Sequence, residues 1–288
     1  MNRLHEAFYL RMPSGPPTQG DIWTGLSWWT DQGLTCTGLI ITPRCDFSHD
    51  KTPVVNYLPI VSVSEFIQSE GGFRLAHREC KKAEEAFKKT ATEMRATHLV
   101  ELGLSASEIE DLKRLDSTTV GADKLEKQLA TLREHENRKK ALIDALGLKR
   151  FTKDQLKDWI PEKEVTKLVN ETVRNNVSDV HFMPSCPPLL PSPSVLLLRH
   201  VLTSPISVLK AAGSCRIQAD WIAAMVSNPI LGYSQDSLLP ERILRVKSPF
   251  LESAMARFAA LYGRIGVRDL DAEELEEFVE ESKRECGY

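Results

Sequence analysis

Apolar and polar positions alternate in blocks near the start of the chain. Two runs of β-branched and apolar residues, 39–42 and 53–58, flank a polar stretch, 43–51. This pattern predicts two strands joined by a loop. Another short strand is predicted at 20–26. Strands so closely spaced are typical of a small, strongly bent β-barrel or half-barrel.

From residue 64 to residue 176 the apolar positions recur at helical spacing among many charged residues. Ser105 followed by Glu108 is a capping-box pattern, which predicts the start of a helix. A heptad-like series separated by a polar gap follows, at Leu125, Leu129, Leu132, Leu142, Ile143 and Leu146. These features predict a helical hairpin or coiled-coil arm.

Two glycines and many charged residues add detail to the predicted helical arm. Gly71 and Gly72 predict an interruption of the first helix. Opposite charges four positions apart, such as Glu134 and Arg138, are typical of a solvated helix face. The charged surface of the arm is therefore either solvated or a binding surface for a partner.

Strand patterns return at 179–183 and 195–202, and an apolar stripe at 249–265 predicts a long C-terminal helix. The predicted fold class is α+β, a small N-terminal β-barrel-like sheet interrupted by a helical insertion and followed by a helical C-terminal part. The predicted domains are residues 1–63 with 177–205, the insertion 64–176, and the C-terminal region 206–288. Separate consecutive domains are the alternative arrangement.

Composition narrows the functional classes. The chain has 288 residues, a net charge of −3 and 42% hydrophobic residues, which is typical of a globular protein and not of a duplex-coating one. No apolar run reaches the roughly 18–20 residues that span a bilayer, and no signal-peptide core is present. The six cysteines form no CxxC pair. We therefore expect a cytoplasmic protein with reduced thiols, not a membrane protein.

The densest candidate chemistry lies in the loop 43–51. Cys45 is a candidate nucleophile whose thiol could be activated by Arg44, Lys51 or a charged His49. The candidate bases are His49, His181 and His200, and Asp46 or Asp50 could orient the imidazole. The alternative is a structural thiol beside a turn in which Asp46 accepts backbone N–H bonds.

Metal binding is a second candidate. Cys45 and His49 are spaced C-x3-H, and His181 and Cys186 are spaced H-x4-C. If the two β segments pack together, these four side chains could form a tetrahedral zinc site. No other cofactor is expected, since neither GxxxxGK[ST] nor GxGxxG occurs.

Nucleic-acid binding is a third candidate. It would need the dispersed cations to converge beside aromatic stacking surfaces. The cations in question are Arg44, Lys51, Arg199, Arg242, Arg245, Lys247 and Arg264, and the aromatics are Trp23, Trp28, Trp29 and Tyr57.

Two resemblances add to these observations. The motifs GDIW (20–23), LIIT (39–42) and LPIVS (58–62) resemble the opening of MazF-type ribonuclease toxins, which have an SH3-like barrel. Arg44 and Ser62 are the nearest counterparts of the arginine and the serine or threonine of those toxins. The resemblance implies RNA cleavage, although the helical insertion does not belong to that pattern.

The second resemblance covers both ends of the chain. TPRCD (42–46), LPI (58–60) and the end RIG (264–266) are similar to an uncharacterised bacterial group with a TP/SQ-x-CD loop and an RxG end. Members of that group resemble accessory components of phage-defence operons. The leading hypothesis is therefore a non-catalytic accessory or scaffold subunit whose protein partner, an ATPase or nuclease, is encoded nearby and provides any contact with nucleic acid. The alternatives are a ribonuclease-like toxin or metal-dependent nuclease, and a nucleic-acid-binding module.

Overall fold

A computed structural model describes residues 4–11, 13, 15–28, 35–48, 52–115, 122–148, 150–214, 218–227 and 239–263. Helices and strands are mixed, and the described strands form an open antiparallel sheet. The α+β class expected from the sequence is confirmed.

The strands are β1 (Tyr9–Arg11), β2 (Asp21–Ser27), β3 (Thr35–Ile40), β4 (Val54–Ser62), β5 (Val180–Met183), β6 (Ser194–Leu197), β7 (Leu202–Pro205) and β8 (Glu241–Val246). The helices are α1 (Leu4–Phe8), α2 (Arg44–Ser48), α3 (Val63–Gln68), α4 (Glu70–Glu93), α5 (Thr97–Glu101), α6 (Ala106–Leu115), α7 (Ala122–Leu146), α8 (Lys153–Trp159), α9 (Glu162–Val173), α10 (Ile206–Ser214), α11 (Gln218–Ser227) and α12 (Phe250–Tyr262). The strand order is β1-β8-β2-β3-β4-β6-β5, and β7 also pairs with β4.

Strand β4 joins the segments before and after the long helical stretch. Ile60 of β4 pairs with Leu196 of β6, and Tyr57 pairs with Leu202 of β7. The sequence predicts one continuous strand over 195–202, but residues 198–201 bulge out between β6 and β7. This bulge carries Arg199 and His200, which bond Asp179 and Glu70.

The C-terminal third is not wholly helical as predicted, because β8 lies between β1 and β2. Residues 241–246, Glu-Arg-Ile-Leu-Arg-Val, are buried at Ile243, Leu244 and Val246. Helix α12 follows directly, and the stripe predicted there, including Leu251, packs on the sheet.

Alternate residues along the strands enter different cores, as expected for a sheet covered on both faces. Leu39 and Leu58 contribute to the core beneath α12. Their neighbours Ile40 and Tyr57 face a second core with α10 and α11. Toward β5 and β6, this second face is covered instead by a core that includes residues of α3, α4, α8 and α9.

Helices α4 and α7 form the predicted arm. With 24 and 25 residues, they extend about 36 Å and 37 Å at 1.5 Å per residue. The far end of the arm has its own core, made by residues of α4, α6, α7 and the α4–α6 connection and including Phe87, Ile109, Leu129 and Leu132. Within the described residues, no helix combines the length and apolar character needed to cross a bilayer.

Candidate functional site

The loop that carries the predicted nucleophile contains the short helix α2. Arg44 and Cys45 are exposed. Cys45 Sγ lies 3.6 Å from Asp46 Oδ1, and Arg44 Nε lies 3.4 Å from Thr18 Oγ1. His49, one of the candidate bases, is outside the described residues. The described part of the loop thus groups Arg44, Cys45 and Asp46 without showing an imidazole beside the thiol.

The second half of the predicted zinc set is buried in the sheet. His181 is 4% exposed, and burial lowers its pKa to about 4, with the charge of Arg257 adding to the effect. The imidazole is therefore neutral near pH 7. Cys186 is fully buried and forms a backbone bridge with Leu190. Cys186 packs in the apolar core beneath α12, whereas the buried His181 Nδ1 has no hydrogen-bond partner among the described residues.

The strand register separates His181 from Cys45. His181 lies opposite Leu196, Leu196 opposite Ile60, and Ile60 opposite Thr37. Three strand spacings place Thr37 about 14 Å from His181, and Cys45 follows beyond the far end of β3. In the described part of the chain, no group of three or more His, Cys, Asp or Glu side chains could hold a metal ion. The structure does not bring these two zinc candidates into one site.

The two residues that match the toxin pattern are also apart. Arg44 follows the end of β3 at which Ile40 pairs with Tyr57. Ser62 ends β4 at the opposite end of this strand pair, where its hydroxyl accepts a hydrogen bond from the backbone N–H of Glu65 at 3.0 Å. Ser62 thus serves as the N-cap of α3.

The carboxylate of Asp21, which was not a candidate from the sequence, pairs with two of the cations considered for nucleic-acid binding. Asp21 is 0% exposed and accepts hydrogen bonds from Arg245 Nε at 2.5 Å, Arg242 at 3.2 Å and the Thr18 backbone N–H at 2.9 Å. Arg242 also donates to the carbonyls of residues 15 and 16. This cluster fastens β2, β8 and the N-terminal segment together.

The remaining groups of the nucleic-acid hypothesis are dispersed. Arg199 bonds Asp179, and Lys247 donates to the Glu6 carbonyl at 2.7 Å. Trp23 and Tyr57 are 3% and 1% exposed, so neither ring is accessible to a base for stacking. Outside the described residues lie Lys51, Trp29 and Arg264.

The arm is held together by two buried carboxylates. Glu79 of α4 bonds Arg138 of α7 at 2.9 Å, and Glu110 of α6 bonds Arg133 of α7. Glu79 and Glu110 are 4% and 5% exposed. Arg138 therefore bonds across helices, whereas the sequence suggested a local pair with Glu134.

A cleft of about 950 Å³ opens in the arm between α4, the α5–α6 connection and α7. Its apolar lining comes from Phe87, Val100, Leu104 and Ile143. Ile143 is 50% exposed, although the heptad pattern assigns it to the core. The polar gap in the heptad pattern could have indicated this cleft, because residues 136, 137, 139 and 140 of that gap line it.

Charged side chains of both signs surround the cleft. Lys139 and Lys140 lie on the α7 side, and Glu101 lies on the α5 side. Glu84 is paired with Lys88 at 3.0 Å. Leu102, next to Glu101 in the chain, is 74% exposed.

No family model, curated protein or solved structure matches the chain.

Proposed function

We propose that this protein is a non-catalytic accessory or scaffold subunit that binds a partner protein through the cleft in its arm. The observation that carries the proposal is a cleft with apolar side chains between charged rims. It lies at the end of the arm where the core, among the residues that the structure describes, is made by the arm's own helices. A groove that combines apolar side chains with charges of both signs has the composition that recognises an amphipathic partner segment. The resemblance of both chain ends to components of phage-defence operons supports a defence system as the setting, with an ATPase or nuclease encoded nearby as partner.

The chemistry of the cleft favours an amphipathic helix from the partner. An apolar ridge at helical spacing would contact Phe87, Val100 and Ile143, as in helix-in-groove recognition. Acidic residues on one flank of that helix would face Lys140, and basic residues on the other flank would face Glu101. Such opposite flanks would fix the direction in which the helix binds.

In this proposal the sheet forms the platform from which the arm extends, and it is curved like part of a small barrel. Two register shifts in β2 support this curvature, because bulges increase the twist and bend of a strand. Gly25, within β2, has a positive φ of 74° that suits such an irregularity.

Placing a charge in the cleft is expected to weaken partner binding. Ile143→Asp would bury a carboxylate against an apolar helix and weaken the complex at least tenfold, about 1.4 kcal/mol. Because Ile143 is half exposed, the variant should fold. The measurement is co-purification from the native host, followed by titration calorimetry with the partner so identified.

Leu112→Asp is the matched control, since Leu112 is 43% exposed on α6 of the same arm and is not among the residues lining the cleft. It should retain the partner that Ile143→Asp loses. Equal retention by both variants, or equal loss, would contradict binding through the cleft.

The purified protein is expected to cleave neither RNA nor DNA. The reason is that the described residues assemble neither the Arg44–Ser62 pair nor a metal site. A gel assay with labelled RNA and DNA, with and without Zn²⁺, tests this. Cleavage that disappears in both Arg44→Ala and Cys45→Ala would establish the hydrolase alternative instead.

A further inference from the structure

The root of the arm meets the sheet at a cluster of five ionisable side chains. Glu70 and Arg74 come from the first turns of α4, Asp179 precedes β5, and Arg199 and His200 belong to the bulge between β6 and β7. The bulge therefore connects the arm to the sheet. Helix α12 also reaches it, through the Tyr262 hydroxyl at 3.4 Å from the Leu198 carbonyl.

One part of the cluster keeps its charges through the neutral range. Arg74 makes a bidentate contact with Asp179, with one N–O distance of 2.7 Å, and Arg199 adds a bond of 3.1 Å. Burial alone would raise the pKa of Asp179, but bonding to Arg74 and Arg199 outweighs it and holds the pKa below its usual value. This ion pair does not respond to pH changes near 7.

The other part contains the imidazole. His200 Nε2 lies 2.6 Å from Glu70 Oε1, and the two side chains are 28% and 31% exposed. Glu70 is also 3.6 Å from Arg74. A carboxylate binds an imidazolium more strongly than a neutral imidazole, because both partners are then charged.

We propose that the His200–Glu70 contact is a proton-dependent latch that fixes the first turns of the arm to the bulge of the sheet. The latch is closed when His200 is protonated and loosens when the proton leaves. The Arg74–Asp179 pair keeps the arm attached in both states. The proton therefore controls how firmly the arm is held, not whether it folds.

The direction follows from the charges facing His200. They include Glu70 of α4, which contacts the ring, and Asp179 before β5. Arg74 and Arg199 are paired with these same carboxylates. The hydrogen bond to Glu70 raises the pKa of His200, burial opposes this, and the charges of Glu70 and Asp179 support it. With a raised folded pKa, the stabilisation is fully present below the unfolded value near 6.5 and is lost as pH rises through the folded value.

Hydrogen exchange of the whole protein tests the latch. Between pH 6 and pH 8, after correction for intrinsic exchange, protection of the amides of residues 73–76 should fall about fivefold. His200→Gln should remove this pH dependence, as should Glu70→Gln. His77→Gln, on an exposed position of α4, should retain it.

An NMR titration of the wild-type imidazoles provides the second measurement and requires no variant. His200 should titrate above the unperturbed value. Protection at 73–76 that does not change with pH, or that changes equally in His200→Gln and the wild type, would overturn the latch.

Discussion

Replacing Asp21 with asparagine is expected to lower the free energy of unfolding by about 3 kcal/mol. The substitution leaves the guanidinium groups of Arg242 and Arg245 without their carboxylate in a site where they are only 16% and 21% exposed. Removing one partner of a buried ion pair costs about 3–5 kcal/mol. The lower end applies because Arg242 keeps its two backbone carbonyl acceptors.

Urea denaturation measures this effect as a lower midpoint with an unchanged slope. Glu241→Gln is the control, since Glu241 is an exposed carboxylate on β8, beside the same arginines in sequence. It should change stability by less than about 0.5 kcal/mol. If Asp21→Asn stays within that margin too, the cluster does not stabilise the β2–β8 pairing.

The helices could be predicted from the sequence because their signals are local. The Ser105–Glu108 pattern is a reciprocal cap in the structure, in which the Glu108 carboxylate accepts from the Ser105 backbone N–H at 2.8 Å. The apolar spacing of 123–146 likewise marks α7, which spans Ala122–Leu146. Caps and helical periodicity depend on residues three or four positions apart.

Strand β8 could not be predicted in this way. Its partners are β1 and β2, more than 200 residues earlier in the chain. A six-residue apolar and charged run is compatible with either a helix or a strand until its neighbours are known. The interruption of 195–202 has the same origin, since the bulge depends on contacts with α4 and α12.

The candidate sites show a similar division. Arg44, Cys45 and Asp46 are adjacent in the chain, so the sequence alone places them together. It did not indicate that Asp179 pairs with Arg74, 105 residues away, because long-range ion pairs have no periodic pattern. The cleft also depends on the helix packing, which leaves Ile143 half exposed.

Gly71 and Gly72 predict a helix interruption, but in the structure these glycines have a packing role. The sequence predicts an interruption, and α3 does end at Gln68. Both glycines nevertheless lie inside α4 and are buried. A Cβ on Gly72 would lie 2.5 Å from the Ile67 carbonyl oxygen and 2.9 Å from a ring carbon of Phe151. The glycines therefore permit α4 to pack closely at the root of the arm.

Gly72→Ala is accordingly expected to destabilise the protein by about 2 kcal/mol. Overpacking costs up to about 3 kcal/mol, and the higher helix propensity of alanine offsets about 1 kcal/mol. The same change at Gly213 in α10, where a Cβ would meet nothing within 4 Å, should instead stabilise by about 0.5 kcal/mol. Urea midpoints of the two variants should thus move in opposite directions. If Gly72→Ala were as stable as Gly213→Ala or more stable, the backbone beside Gly72 would have to shift at little cost. Close packing at the root of the arm would then not explain the glycine at position 72.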